Sequence, residues 1–219
     1  MTLLAKKKEE DEIKNELIGG SLYSQFAIWF KDSEENSKNQ NMGKDEYLEK
    51  VKKIFEFSTI DEFWEIYQYL VKPEVSRHGI EIMIFKSSVK PMWEDESNKN
   101  GGKVTIKVKK EYSNLVWDEI VYRFIGNNFP LTNNSDLNGI IFSVKRDSIF
   151  IQVWFKNFST NSMNEITASI KQILSINDNV ELDIRPFNKS KDIVSNNNNY
   201  NHNFYNYGNG NSNNKSKKY

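Results

Sequence analysis

An α+β fold, in which helices pack on one face of an antiparallel sheet, is predicted by two features of this 219-residue chain. Several segments alternate apolar and polar side chains, as strands buried on a single face do. Between them lie three segments whose apolar residues recur at helical spacing. Such a layer leaves the second face of the sheet open to a ligand.

Each element has its own signal. The first strand, Leu22 to Lys31, carries Leu22, Phe26, Ile28 and Phe30 on one parity and Tyr23, Gln25 and Trp29 on the other. A strand over 51–57 leads into Thr59 and Glu62, spaced as a capping box. The helix that follows places Ile60, Phe63, Trp64, Tyr67 and Leu70 on one stripe and is expected to end near Pro73. Adjacent aromatics on a helix cannot both point into one core, so one of Phe63 and Trp64 turns outward. After a strand over 80–86, Val104, Ile106 and Val108 alternate with Lys103, Thr105, Lys107 and Lys109, which sets aliphatic side chains on one face and ammonium groups on the other. A second helix runs from Asn114 to Ile125, with Gly126 as its stop. Strands over 139–146 and 148–155 flank Lys145-Arg146-Asp147-Ser148, a hairpin turn. The third helix is expected to start at Ser162, with Glu165 three residues on, and carries Ile166, Ile170, Ile173 and Leu174. A strand over 180–186 completes the domain.

The flanks read differently. Residues 1–20 are rich in Lys, Glu and Asp and are expected to form a flexible arm, the folded domain spans 21–190, and 191–219 is a disordered tail. From Ser195 onward asparagine fills eleven of twenty-five positions, too polar to offset chain entropy.

Composition narrows the function. Thirty basic and thirty acidic side chains cancel, so no bulk positive field exists for long duplex nucleic acid, and any nucleic-acid site is local. Cysteine is absent, which excludes thiol catalysis, thiolate zinc sites and disulfides and fits a reducing compartment. With His78 and His202 as its only histidines, the chain is expected to hold no metal, and no cofactor motif is present. No run of about eighteen apolar residues suits a membrane span, and a soluble cytoplasmic protein is expected.

Residues 90–103, K-P-M-W-E-D-E-S-N-K-N-G-G-K, carry the most chemical information. Trp93 offers a flat π face, Glu94 can accept two parallel N–H bonds, and Lys103 stands across the glycine pair for an anion. A ligand flat and cationic at one end and polyanionic at the other satisfies all three. Taken alone, the stretch also reads as a solvated acidic turn whose tryptophan caps the core.

The wider pattern decides between these. F-A-I-W-F at 26–30, D-E-F-W at 61–64, P-M-W-E-D-E and N-K-N-G-G-K within 91–103, F-I-G at 124–126, G-I-I-F-S-V-K at 139–145 and V-W at 153–154 occur in order. In these motifs the chain resembles the family of eukaryotic translation initiation factor 4E, the mRNA cap-binding protein, over roughly residues 22–187. Tyr47, and Phe26 in place of a tryptophan, resemble the divergent 4E-homologous branch. The resemblance implies a curved antiparallel sheet with three helices on its convex face, and a 7-methylguanosine cap held between two aromatic rings. Methylation at N7 leaves the base positively charged, which adds a cation–π contribution of about 0.5–2 kcal/mol per ring.

By the same resemblance, Trp93 is one stacking ring and Tyr47, ten residues before Phe57, is the other. Glu94 reads the base edge, and Asp95 and Glu96 orient the loop. Trp154 approaches the methyl group, a core role being its competing reading. Lys103 and Lys145 hold phosphates where better-known relatives carry arginine. A further basic position of the family falls on Phe150, for which Arg146 substitutes, and Lys107 is an auxiliary. On the opposite side, Trp64 with Ile60, Glu119, Tyr122 and Gly126 matches the groove that takes a Y-x-x-x-x-L-Φ helix from the scaffold factor 4G or from a repressor. Gly20-Ser21-Leu22 departs from the family's His-Pro-Leu there. The expected function is that of a cap-binding initiation factor, monomeric by itself and not an enzyme. The alternative is a cap-binding repressor of the 4E-homologous type.

Overall fold

The computed structural model describes residues 20–33, 50–146, 148–176 and 182–188. Strands β1 (Ser21–Asp32), β2 (Val51–Thr59), β3 (Ile80–Lys86), β4 (Gly102–Val108), β5 (Leu137–Lys145), β6 (Ser148–Phe155) and β7 (Asp183–Pro186) form one seven-stranded sheet in the order β2-β1-β3-β5-β6-β4-β7. Every neighbouring pair is antiparallel. Helices α1 (Ile60–Tyr67), α2 (Ser113–Ile125) and α3 (Thr160–Ile173) all bury residues in a single cluster on one sheet face. The expected α+β layer, an antiparallel sheet backed by three helices, is the fold observed. Among the described residues no helix is long and apolar enough to cross a membrane.

Alternation builds the helix-side core. Phe26 and Ile28 of β1, Ile82 and Ile84 of β3, Val104 and Ile106 of β4, Ile140 and Phe142 of β5, and Ile151 and Val153 of β6 are all buried. Aromatic rings close it: Trp117 of α2 meets Phe142 edge-on at 5.0 Å, and Phe26 packs on Phe57 at 5.5 Å and Phe124 at 5.3 Å. Each such side chain contributes about 1.5–3 kcal/mol when removed from water.

Several boundaries differ from the sequence reading, three of them for a reason the structure shows. Helix α1 has the expected capping box, with Glu62 N donating to Thr59 Oγ1 at 3.2 Å and Thr59 N to the Glu62 carboxylate at 3.1 Å. It ends at Tyr67, however, well before Pro73. The proline pushes Lys72 into an extended conformation and starts a short 3₁₀ turn, Pro73–Val75. Helix α3 begins at Thr160 because Ser159, not Ser162, is its cap: the Ser159 hydroxyl accepts from Ser162 N at 3.2 Å. Glu165 instead accepts from Thr132 N in the loop before β5. Of the strand expected over 180–186, Asp183–Pro186 is observed, and 180–181 lie outside the described residues. The same holds for the arm, 1–19, and for the tail from 189 onward.

The second sheet face is not bare, contrary to the sequence reading. Val51, Met83, Phe85, Val89, Ile141 and Trp154 form a smaller apolar cluster there, with Trp29 and Phe187 against it. Its centre depends on Gly139, which is opposite Phe85 on β3 and Trp154 on β6. A Cβ at Gly139 would lie 2.3 Å from the Phe85 ring, so the glycine lets Phe85 and Trp154 meet edge-on at 5.4 Å. Gly139→Ala is therefore expected to lower unfolding free energy by about 1–3 kcal/mol through overpacking, read as a shift of the urea midpoint; an unchanged midpoint would refute the close approach.

Candidate functional site

The β3–β4 connection, 87–101, is a loop with a built interior. Asn98 is fully buried and its side-chain amide donates to Lys90 O at 2.9 Å and Met92 O at 2.8 Å. Asn138 of β5 donates to Asn98 Oδ1 at 2.8 Å and to Ser97 O at 2.7 Å, which ties the loop to the sheet. Asp95 accepts from Ser97 N at 2.9 Å and Lys90 N at 3.2 Å, the loop-orienting part expected of it. Glu96 pairs with Lys99 on the surface.

With Met92 buried beneath the loop, Trp93 is turned out and is 57% exposed. Among the described residues it has no ring contact, and Glu94 beside it has no hydrogen-bond or ion-pair partner. A flat ring and a carboxylate, both without partners, sit side by side on a fixed turn. Tyr47, the second ring implied by the family resemblance, lies outside the described residues.

Trp154 is 6% exposed, edge-on to Phe85 and 4.3 Å from Phe187, and its indole N–H donates to Gln152 at 3.1 Å. It belongs to the apolar cluster of the ligand face, not to the helix-side core.

Beyond that cluster the same face turns basic. A shallow basin of about 710 Å³ is lined by Lys103, Lys107, Lys145, Arg146 and Arg185, with Glu81 and Asp183 among them. Lys103 stands directly between Trp154 of β6 and Arg185 of β7 in register. Its ammonium is held below the ordinary lysine value, first by burial and then by the nearby charges of Lys145 and Arg185, against which Asp183 and Glu81 act. Cations that repel one another in a half-buried site are relieved by a bound anion. At the hairpin, Arg146 takes φ 52 and its backbone N–H donates to His78 Nδ1 at 2.9 Å.

Sequence reasoning missed Arg185 and His78. Arg185 lies on a four-residue edge strand with no periodicity to read, and only its register with Lys103 brings it to the basin. His78 is sixty-eight positions from its partner in the hairpin.

A second candidate surface lies across the sheet, where α1 meets α2. Phe63 and Tyr67 are buried while Trp64 is 45% exposed, so the adjacent aromatics divide as expected. The Trp64 ring lies 5.6 Å from that of Tyr122, with Ile60 exposed beside α1's start. Glu119 pairs with Arg123 at 2.8 Å, and Gly126 closes α2, its N–H bonded to Tyr122 O at 3.0 Å. Gly126 keeps φ −80 and Asn127 makes the left-handed turn. Asp118, unremarked in the sequence, accepts from Tyr67 Oη and from Lys72 Nζ at 2.8 Å and so braces the groove's base.

Residues 21–205 match the family model described as eukaryotic initiation factor 4E. The chain is 30% identical over 186 residues to the eukaryotic translation initiation factor NCBP of Oryza sativa subsp. japonica, covering 83% of this chain and 79% of that protein. To eukaryotic translation initiation factor 4E-1 of Arabidopsis thaliana it is 28% identical, over 71% of this chain and 63% of the relative. Among solved structures, C. elegans eIF4E-3 in complex with the 4E-binding protein Mextli superposes with a TM-score of 0.69 at 22% identity, covering 79% of this chain and 96% of that one. Schistosome eIF4E complexed with m7GpppG and 4E-BP gives 0.66 at 23% identity, over 85% and 94%. These structures share the fold.

The loop's dependence on one amide is testable. Asn98→Ala removes three hydrogen bonds, to Lys90 O, to Met92 O and from the Asn138 amide, whose other partners Met92 N, Asp95 N and Ser97 O remain, each lost bond being worth about 0.5–1.5 kcal/mol. The expected outcome is a loss of about 2–4 kcal/mol in urea unfolding, with faster hydrogen exchange across 90–101; wild-type stability would show that the buried amide does not hold the loop.

Proposed function

The chain belongs to the eukaryotic initiation factor 4E family, and we propose that it binds the 7-methylguanosine cap of mRNA and acts in translation initiation. One observation supports this above the others: Trp93 and Glu94 stand unpartnered on a loop fixed by buried amides, on the sheet whose ligand face carries the basic basin. A base stacked on Trp93 presents its N1–H and exocyclic amine to the Glu94 carboxylate as a charge-assisted pair. Its methyl group and positive charge face aromatic surface, Trp154 being the closed end of that apolar patch, and Tyr47 supplies the second stacking ring. The phosphates then run onto Lys103 and Arg185, with Lys145 and Arg146 at the hairpin. Lysines act there as point charges, so phosphate binding is salt-sensitive and less directional than with arginine.

The Trp64 groove supports a protein partner. Solved relatives carry 4E-binding proteins, and Trp64, Ile60 and Tyr122 offer this chain an aromatic and aliphatic surface rimmed by Glu119, suited to the apolar face of a short helix. We read that helix as part of a scaffold initiation factor.

Two outcomes are expected. Trp93→Ala and Glu94→Ala each lose retention on 7-methyl-GTP resin, with the Glu94 variant weakened by about 1–3 kcal/mol; full retention of either would remove that residue from the site. Trp64→Ala keeps cap affinity within about twofold while weakening a Y-x-x-x-x-L-Φ peptide by about 2 kcal/mol or more, read by calorimetry. An unchanged peptide affinity would remove Trp64 from the groove.

A further inference from the structure

The floor of the basic basin holds an aromatic ring that neither the phosphate contacts nor the packing of the domain accounts for. Phe150 alternates with Ile149 and Ile151, which are buried on the helix side, so its ring stands on the ligand face. It belongs to neither apolar cluster. Its neighbours are polar: Lys107 lies opposite it on β4 and Ser143 on β5, and the Lys145 ammonium stands 5.8 Å from its ring centre. An aromatic side chain interleaved with cations along a groove is the arrangement on which single-stranded bases stack, whatever their identity.

Position adds to composition. Along β6 the side chains on the ligand face run Trp154, Gln152, Phe150, Ser148, so Phe150 lies about 13 Å from Trp154 at the usual strand rise. Lys103 and Arg185 flank the Trp154 end of this row, and Lys107 and Lys145 flank Phe150. A phosphate bridge that leaves the cap base and crosses Lys103 and Arg185 delivers the next nucleoside over Phe150. Resting on the cap-binding reading above, we propose that Phe150 is the stacking platform for the first transcribed base, the one joined to the cap by the triphosphate bridge. The chain then grips two nucleosides of its messenger, the first by stacking, charge and edge and the second by its π face alone.

Calorimetric titration of the full chain tests this with two probes, 7-methyl-GTP and the capped dinucleotide 7-methyl-GpppG. Phe150→Leu keeps apolar bulk without a π face, and is expected to weaken the dinucleotide about tenfold while changing 7-methyl-GTP by less than about twofold. Phe150→Tyr restores the dinucleotide affinity. Equal weakening of both probes, or no change in either, overturns the platform while leaving cap binding intact. Failure of the unsubstituted chain to bind 7-methyl-GTP overturns the cap-binding reading, and the platform with it.

Discussion

The ligand face depends on a contact between two amides. Asn138, in β5, donates to Ser97 O and to Asn98 Oδ1, and Asn98 in turn holds Lys90 O and Met92 O. Through these bonds the loop that exposes Trp93 is fastened to the strand whose next residue, Gly139, lets Phe85 and Trp154 meet. Both amide nitrogens and the Asn98 oxygen are satisfied while Asn138 Oδ1 is buried without a partner among the described residues, and the four bonds that are made favour this loop conformation over its alternatives. An exposed indole on a loop of fifteen residues would otherwise fold back onto the nearest apolar surface. Here Met92 takes that place and Trp93 is left facing solvent.

Charge on this face is concentrated by topology, in a chain whose formal charges cancel. Lys103 and Arg185 are cross-strand partners, an arrangement that is destabilising by itself. Asp183, bonded to Arg185 at 3.0 Å, and Glu81, bonded to Lys31 at 3.2 Å, moderate the repulsion. The result is a site that holds together without a ligand and in which the cations still repel enough to favour a polyanion. Lys103 shows the strain most directly, since its ammonium is penalised both by burial and by its neighbours.

The fold was legible because its signals are local. Alternation in 103–108 and the Thr59–Glu62 box need no knowledge of the rest of the chain, and both elements form where expected. Boundaries set by a competing partner were not legible: Glu165 reads as the second half of a capping box, yet its carboxylate goes to Thr132 and Ser159 caps the helix one turn earlier. Among candidate site residues, Trp93, Glu94, Lys103 and Lys145 could be named because they lie in recognisable motifs. Arg185, His78 and Asp118 could not, since each gains its place only from register or from a partner more than forty positions away. The apolar patch on the ligand face was missed for a related reason. Met83 and Ile141 read as ordinary members of continuous apolar strands, and only their pairing across β3 and β5 shows that they cover the second face.

The two candidate surfaces are separated by the helix-side core. Phe63 and Tyr67 point inward from α1 onto Phe57 and the α2 side chains, while Trp64 and Tyr122 point outward, and none of these touches a residue of the basin. Sites that share no contacting side chains have additive energetics to within about 0.3–0.5 kcal/mol. What the surfaces do share is the sheet, in which α1 packs on β2, the edge strand beside β1. Lys103 and Phe150 are carried by β4 and β6, beyond the central strand β5, and Trp93 by the β3–β4 loop that Asn138 of β5 fastens.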